Sequence, residues 1–452
     1  MDKTIQKLAR YVLETDVSRL SPQAVHESKR RLIDSVACAA AAYPEPFCAG
    51  IRAFAERYSG TPSARIWGSG ARTSIEMAAF TNGTMLRYLD YSDTYLGKTA
   101  GHPSDMIGAL VAVAEAHRLA GSALIESIVV AYEVYCGLCD SVALQSHGLD
   151  QATCAVVGTA AGVAKLLKLS QEQTANALSL ALASNLHLYN VRCGNLSDWK
   201  GCAGPNGSKN GVFAALLANE DISGPTGPVD AKGGLNEIVG PFEWQVGAGP
   251  DSLIVGTHLK FHPVCYHGQS AIEAVLKLRE SVALDDIADI HVETYEAAFR
   301  VMGSDPQRWA PSTRETADHS LPYTIAVALL DGRLTSDAYG DDRLQDPRIK
   351  VLMDKIRVSS SPDLTQAFPA SAQTHITFHS RDGRVLQHLQ QNPKGHAKNP
   401  LSDAELEGKF IELYAPLGGP ETARQALDIL WSVDKLADSA DLVDAICLSV
   451  RP

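Results

Sequence analysis

The run SDMIGALVAVAEAHRLAGSALIESIVVAYEVYCG, residues 104–137, decides the fold class. From Ser104, read as an N-cap after Pro103, apolar residues recur at Ile107, Leu110, Val111 and Ala114, the spacing of one helix face. A second helix follows Gly121, with Ile125, Ile128, Val129, Tyr132 and Cys136 on one side. A third runs through Val156, Val157, Ala160, Val163, Ala164 and Leu167. Short turns bearing Gly and Ser separate them, which predicts antiparallel neighbours in a helical bundle.

Outward from this core the pattern changes twice. Between Asn190 and Asn210 the sequence NVRCGNLSDWKGCAGPNGSKN is polar and glycine-rich, and reads as an ordered functional loop. Helical spacing resumes at Val212, Phe213, Leu216 and Leu217. After about residue 260, Ile290–Tyr295 alternates like a strand, and Gln373–Leu389 reads as two strands around the Asp382-Gly383 hairpin signal. Helices at Ser270–Arg279 and Tyr323–Leu330 accompany them, and the tail is helical again from Ser402. The expectation is a mainly α fold. Residues 1–259 and 396–452 would form a large all-helical domain, with a smaller α+β lid domain, 260–395, inserted between them.

Composition narrows the function. The 452 residues are 45% hydrophobic and 20% charged, as in a globular protein, with a formal net charge of -12 and no concentrated basic stretch. Nucleic acid is therefore excluded as a partner. No uninterrupted apolar run of about eighteen residues suggests a membrane span. The N-terminus lacks the apolar core of a signal peptide, so a cytoplasmic location is expected. Nine scattered cysteines, an odd number, read as reduced and mostly buried thiols, and Cys136/Cys139 has no second pair with which to hold zinc. An acidic protein with an acidic ligand must gather its positive charge in a pocket.

Three stretches could do so. Asp90–Asp105 holds Asp93, Thr94, Lys98 and His102, an acid–base set suited to moving a carbon-bound proton once burial adjusts the pKa values. A polar loop ending in a capped helix, with Ser104 as the cap, would carry the same residues. Arg192, Lys200 and Lys209 lie in the glycine-rich stretch, where freed backbone amides beside a helix start would bind an anion; a solvated loop is the alternative. Lys260, His262, Cys265, His267 and Gln269 cluster before a helix at the domain change, suiting either a ligand cleft or a capped helix start. The proline between His262 and His267 and the lack of nearby carboxylates argue against a metal. His319 reads as a capping or core histidine. Neither GxSxG nor HExxH is present, and the glycine spacing fits no nucleotide fingerprint.

The segments LDYSDTYLGKTAGHPSD (89–105), SDWKGCAGPNGSKNGVFAALLA (197–218), FHPVCYHGQSAIEA (261–274) and DHSLPYTIAVALLDGRLT (318–335) resemble the MmgE/PrpD family. Its members include 2-methylcitrate dehydratases, cis-aconitate decarboxylases and iminodisuccinate epimerases, and the likeness runs over essentially the whole chain. The resemblance implies a helical domain with a lid, a site between them, no metal or organic cofactor, a small polycarboxylate substrate and a homodimer. It places Asp93, Thr94, Lys98, His102 and Lys200 in the active site, with Tyr323 from the lid and His267 and Gln269 in the cleft. Decarboxylases carry histidines where this chain has Asp150-Gln151 and Gln269. TYLGKTAGHPSD and His267-Gly268-Gln269 look more like the dehydratase branch, although that branch usually has an acidic residue in place of Cys265.

The resulting expectation is a lyase that dehydrates a citrate-like hydroxy acid. Asp93, His102 and Lys200 would be catalytic, and Thr94, Lys98, Arg192, Lys209, His267, Gln269 and Tyr323 would bind substrate. A decarboxylase, a dicarboxylate epimerase and a catalytically silent carboxylate-binding homologue are the alternatives.

Overall fold

In the computed structural model, which describes residues 1–249 and 251–447, helices dominate: twenty α-helices stand against eight short strands among the described residues. The chain is mainly α, with an α+β part, as the periodicities indicate. Buried apolar side chains form two large clusters. One gathers residues from Ile5 to Leu259 and from Leu401 to Ile446, and the other spans Val264–Phe378.

The helical core is built around Gly121–Ser141, whose side chains are almost all buried. This helix is long and apolar enough to cross a membrane, but most of it lies inside the core. Ala152–Leu166 packs beside it and against Trp199–Asn219. Local signals set the helix ends. Asp2 accepts from the Ile5 amide at 2.8 Å, and Ser402 with Glu405 closes a capping box before Asp403–Gly418.

Two sequence expectations fail here for physical reasons. Ser104 does not cap its helix: a 3₁₀ turn, Pro103–Met106, precedes Ile107–Ala116, and the Ser104 amide is itself capped by the Asp93 carboxylate at 2.9 Å. The glycine-rich stretch is not a loop beyond residue 198, because helix Trp199–Asn219 runs straight through it, with Pro205 inside. Its glycines serve close approach instead of flexibility. A Cβ on Gly204 would overlap the Asp105 carboxylate, and one on Gly207 would sit 2.6 Å from the Ala152 carbonyl oxygen. Since that carbonyl belongs to a packed helix and cannot swing away, Gly207→Ala should lower stability by about 1–3 kcal/mol, read as a fall in urea midpoint. An unchanged midpoint would mean the two helices yield easily.

In the α+β part, Ile287–Thr294 lies between Ile356–Ser360, to which it is parallel, and Thr374–Ser380, to which it is antiparallel; Val385–Gln390 closes the sheet. The Asp382-Gly383 turn joins the last two strands, with Gly383 at φ 88°. The parallel strand Ile356–Ser360 has no counterpart in the sequence reading. Helix Gln269–Arg279 packs on this sheet and carries Glu273, whose carboxylate accepts from the Lys394 amide at 2.5 Å and the Gln390 side chain at 2.8 Å. Burial pushes Glu273 from an ordinary value of 4.5 up to about 7. Its proton is held more tightly in the folded state, so its stabilising contribution is complete below pH 4.5 and is lost as the pH rises through 7. Glu273→Gln should therefore raise stability at pH 8 by about 1–3 kcal/mol and leave it unchanged at pH 4. Melting curves at the two pH values check this.

The chain crosses between the two cores twice, side by side. The Leu259 amide donates to the Gly395 carbonyl at 3.0 Å, and the rings of His258 and His396 stack at 4.3 Å. Thr94 and His258 exchange backbone hydrogen bonds of 2.8 and 2.7 Å, which fastens the Asp90–His102 segment to the first crossing.

Candidate active site

The densest charge cluster lies where the cores meet, and its centre is Asp90. This residue has a left-handed backbone, φ 51°, and its carboxylate is wholly buried. Arg87 hydrogen-bonds to it, the Lys260 ammonium donates at 2.9 Å, and the Lys200 ammonium stands 3.7 Å away. Burial alone would raise the Asp90 pKa, but Lys200, then Lys260 and Arg87, hold it well below the usual carboxylate range. Lys200 sits in the first turn of helix Trp199–Asn219, where the dipole disfavours a cation. Asp318, from the α+β part, offsets this by accepting at 2.8 and 2.9 Å. The Lys200–Asp318 pair thus spans the two cores. Arg192 donates to the Lys200 carbonyl at 3.1 Å and pairs with Asp150 at 2.9 Å, which fixes the helix start.

Lys260 is aimed by its neighbours. Gln269 accepts from the Phe261 and His262 amides and donates to the His262 and Val264 carbonyls, pinning the turn after Lys260. From helix Asp403–Gly418, the Lys409 ammonium donates to the Lys260 carbonyl at 2.8 Å. Burial lowers the Lys260 pKa, and Asp90 counters this.

His102 stands on the other side of the cluster. Its Nδ1 lies 2.7 Å from the Asp93 backbone carbonyl, which can only accept, so Nδ1 carries the proton and Nε2 keeps a lone pair. Thr94 Oγ1 is 3.2 Å from the same nitrogen. Burial, then Arg87 and Lys260, hold the imidazole well below its ordinary pKa. The ring is therefore a neutral, oriented base. A buried chain supports it: the His102 amide donates to the Tyr135 hydroxyl at 2.8 Å, Tyr135 bonds to Gln151, and Gln151 donates to Asp105 at 3.2 Å. Burial pushes Asp105 up to about 6.

Asp93 is occupied differently. One oxygen caps the Ser104 amide and the other accepts from the Tyr132 hydroxyl at 2.8 Å, with Arg31 at 3.8 Å. Its carboxylate holds this architecture together, and its backbone carbonyl orients His102.

Of the residues singled out in sequence, Lys200, His102 and Arg192 stand within electrostatic reach of Asp90; Asp93 and Thr94 touch His102, and Gln269 holds the turn after Lys260. His267 joins them from the edge: Nδ1 is 2.7 Å from the Tyr295 hydroxyl, and burial, then His319 and Lys260, lower its pKa to about 4. Three others lie elsewhere. Lys98 is exposed and donates to the Ser141 carbonyl at 3.2 Å. Lys209 is not at a helix start but in the middle of Trp199–Asn219, with Glu76 as its nearest charge influence. Tyr323 points into the α+β core and donates to the Ala338 carbonyl at 2.6 Å. Of the backbone amides expected to bind an anion in a glycine loop, those of Gly204 and Gly207 are inside that helix beyond its first turn, and that of Gly201 donates to the Asp198 carbonyl at 3.0 Å.

Asp90, Asp318, His319 and Arg87 were missed as site residues, and Lys260 was only part of a stretch. The adjacent pair Asp318-His319, opposite two buried lysines, was the available signal. Asp90, Cys265 and His319 bring potential metal-ligand atoms within 4.8 Å of one another. The three cations already on Asp90 would repel a divalent ion, so this set does not suit a metal. A surface groove of about 210 Å³ is lined by Glu14, Asp16, Glu133 and Asp251 against Arg19 alone, and is likewise unsuited to an anion.

Residues 6–245 match the MmgE/PrpD N-terminal domain, and residues 262–435 match the MmgE/PrpD C-terminal domain. The 2-methylcitrate dehydratase of Cupriavidus necator is 30% identical over 424 residues, covering 88% of this chain and 86% of its own length. The mitochondrial 2-methylcitrate dehydratase of Yarrowia lipolytica is 28% identical over 423 residues, 87% of this chain and 80% of its own. That of Salmonella typhimurium is 28% identical over 426 residues, 88% and 86% respectively.

Proposed function

Because the chain belongs to the MmgE/PrpD family, we propose that it is a hydro-lyase that removes water from a citrate-like hydroxy polycarboxylate, as its relatives named 2-methylcitrate dehydratase do. The observation that carries this reading is the convergence of Arg87, Lys200 and Lys260 on one buried carboxylate beside a neutral, oriented His102. Elimination needs a base for a carbon-bound proton and cations for the charge that then develops on the neighbouring carboxylate. Nε2 of His102 takes the proton, and Lys200 and Lys260 stabilise the aci-carboxylate, which is the largest catalytic contribution. The Lys200 ammonium also hydrogen-bonds the departing hydroxide, which takes the proton from the His102 imidazolium and leaves as water. Asp93, with both oxygens engaged, positions His102 and does not act as the base.

The reading takes every group the reaction needs from side chains, with no metal or organic cofactor, in a cytoplasmic homodimer; light scattering after gel filtration tests the dimer. The chemistry is tested by proton NMR in deuterated water against citrate, 2-methylcitrate, aconitate, tartrate and amino-dicarboxylates. New olefinic signal from a hydroxy acid supports dehydration. Loss of carbon dioxide, exchange without net change, or binding without turnover would replace it with the decarboxylase, epimerase or silent-homologue reading.

A further inference from the structure

Cys265 has surroundings unlike those of the other buried thiols. It immediately precedes the turn Tyr266–Gly268, which leads into helix Gln269–Arg279. Its Sγ, a His319 ring nitrogen and an Asp90 oxygen all lie within 4.8 Å of one another. His319 is in turn hydrogen-bonded through Nδ1 to Asp318, and the Cys265 amide donates to the Asp318 carbonyl at 3.0 Å. A nucleophile, a base and a carboxylate that orients the base are thus assembled in sequence. Lys260 adds a further positive charge.

We propose that Cys265 is a thiolate nucleophile facing the candidate active site and a site of covalent modification by small peroxides, through which the site is blocked. The His319 imidazolium and the Lys260 ammonium stabilise the thiolate, the form that reacts. The charge pattern agrees. Burial pushes Cys38, Cys136 and Cys139 upward. At Cys265 burial and Asp90 act the same way, but His319 and Lys260 together bring the net direction down. His319 moves oppositely: burial lowers it, and Cys265 and Asp318 raise it above the ordinary value.

In the step itself, a Sγ lone pair attacks one oxygen of hydrogen peroxide. An S–O bond forms as the O–O bond breaks, and sulfur is oxidised by two electrons. The departing hydroxide takes the imidazolium proton of His319 and leaves as water, so Cys265 becomes a sulfenic acid. Two thiols of dithiothreitol would reverse it, giving a disulfide and water. The oxidised sulfur would occupy space beside Lys260 and Asp90, where a substrate carboxylate is proposed to bind. In that respect the inference rests on the proposed function.

The full chain is treated with sub-millimolar hydrogen peroxide in the presence of dimedone, and the adducts are located by peptide mass spectrometry. Cys193, the exposed thiol, is the internal reference. The expected result is a dimedone adduct on Cys265 at least 5-fold ahead of Cys193, in wild type and in a Cys193→Ser control. A dehydrated substrate at saturation should suppress it at least 5-fold, and His319→Gln should slow it 10-fold. Adducts on Cys193 ahead of Cys265 would overturn the proposal, and so would Cys265 labelling that a dehydrated substrate at saturation leaves unchanged. The rate ratio in wild type does not depend on how any variant folds. Because the readout is mass, a reactive Cys265 without dehydration of any substrate would sink the functional reading and leave the thiolate standing.

Discussion

Lys200→Ala should reduce kcat/KM for the dehydrated substrate by two to three orders of magnitude. Its ammonium is nearly solvent-free and stands between Asp318 and Asp90. Loss of one preorganised donor at a developing oxyanion has about that effect. The substitution also leaves two carboxylates short of a partner, and breaking a buried pair costs about 3–5 kcal/mol. Lost activity could then reflect a loosened fold. The paired variant Lys200→Met/Asp318→Asn separates the causes: removing both charges should recover most of the melting temperature and none of the turnover. If activity returned with stability, Lys200 would be a structural residue only.

His102→Asn should lower kcat by 10²- to 10⁴-fold with little change in stability, the range expected for removing a general base. Asn retains a side-chain donor for the Asp93 carbonyl but offers no basic nitrogen. The wild-type pH profile provides a second test. Burial, Arg87 and Lys260 depress the His102 pKa, so the neutral form persists below the ordinary value of 6.5. Activity should not decline as the pH falls through 6.5 and should drop only well below it. A kcat/KM profile with an inflection at 6.5 that disappears in His102→Asn would show an imidazole open to water, contrary to the structure.

The helices were legible because their apolar faces repeat over many residues. Gly121–Ser141 and Ala152–Leu166 follow their periodicities closely. The stretch after Asp198 misled because glycine has two opposite uses. Sequence suggests flexibility, whereas Gly204 and Gly207 allow a rigid helix to touch Asp105 and Ala152. The site was legible as residue types and not as directions. His102 and Lys200 both reach the surroundings of Asp90, but Lys98 and Tyr323, equally prominent in their motifs, turn toward Ser141 and Ala338. The pairs that reveal the part played by Asp90 and Asp318, with Lys260 and Lys200, join positions more than a hundred apart. Local spacing carries no record of such pairs.

A crystal structure of His102→Asn with 2-methylcitrate bound would locate the substrate, since the slow variant holds it unreacted. Its carboxylate oxygens are expected within hydrogen-bonding distance of the Lys200 and Lys260 ammonium groups, with a carbon-bound hydrogen facing residue 102. A ligand seated instead in the groove beside Tyr11 and Glu133, or on the outer surface near Lys98, would contradict that placement.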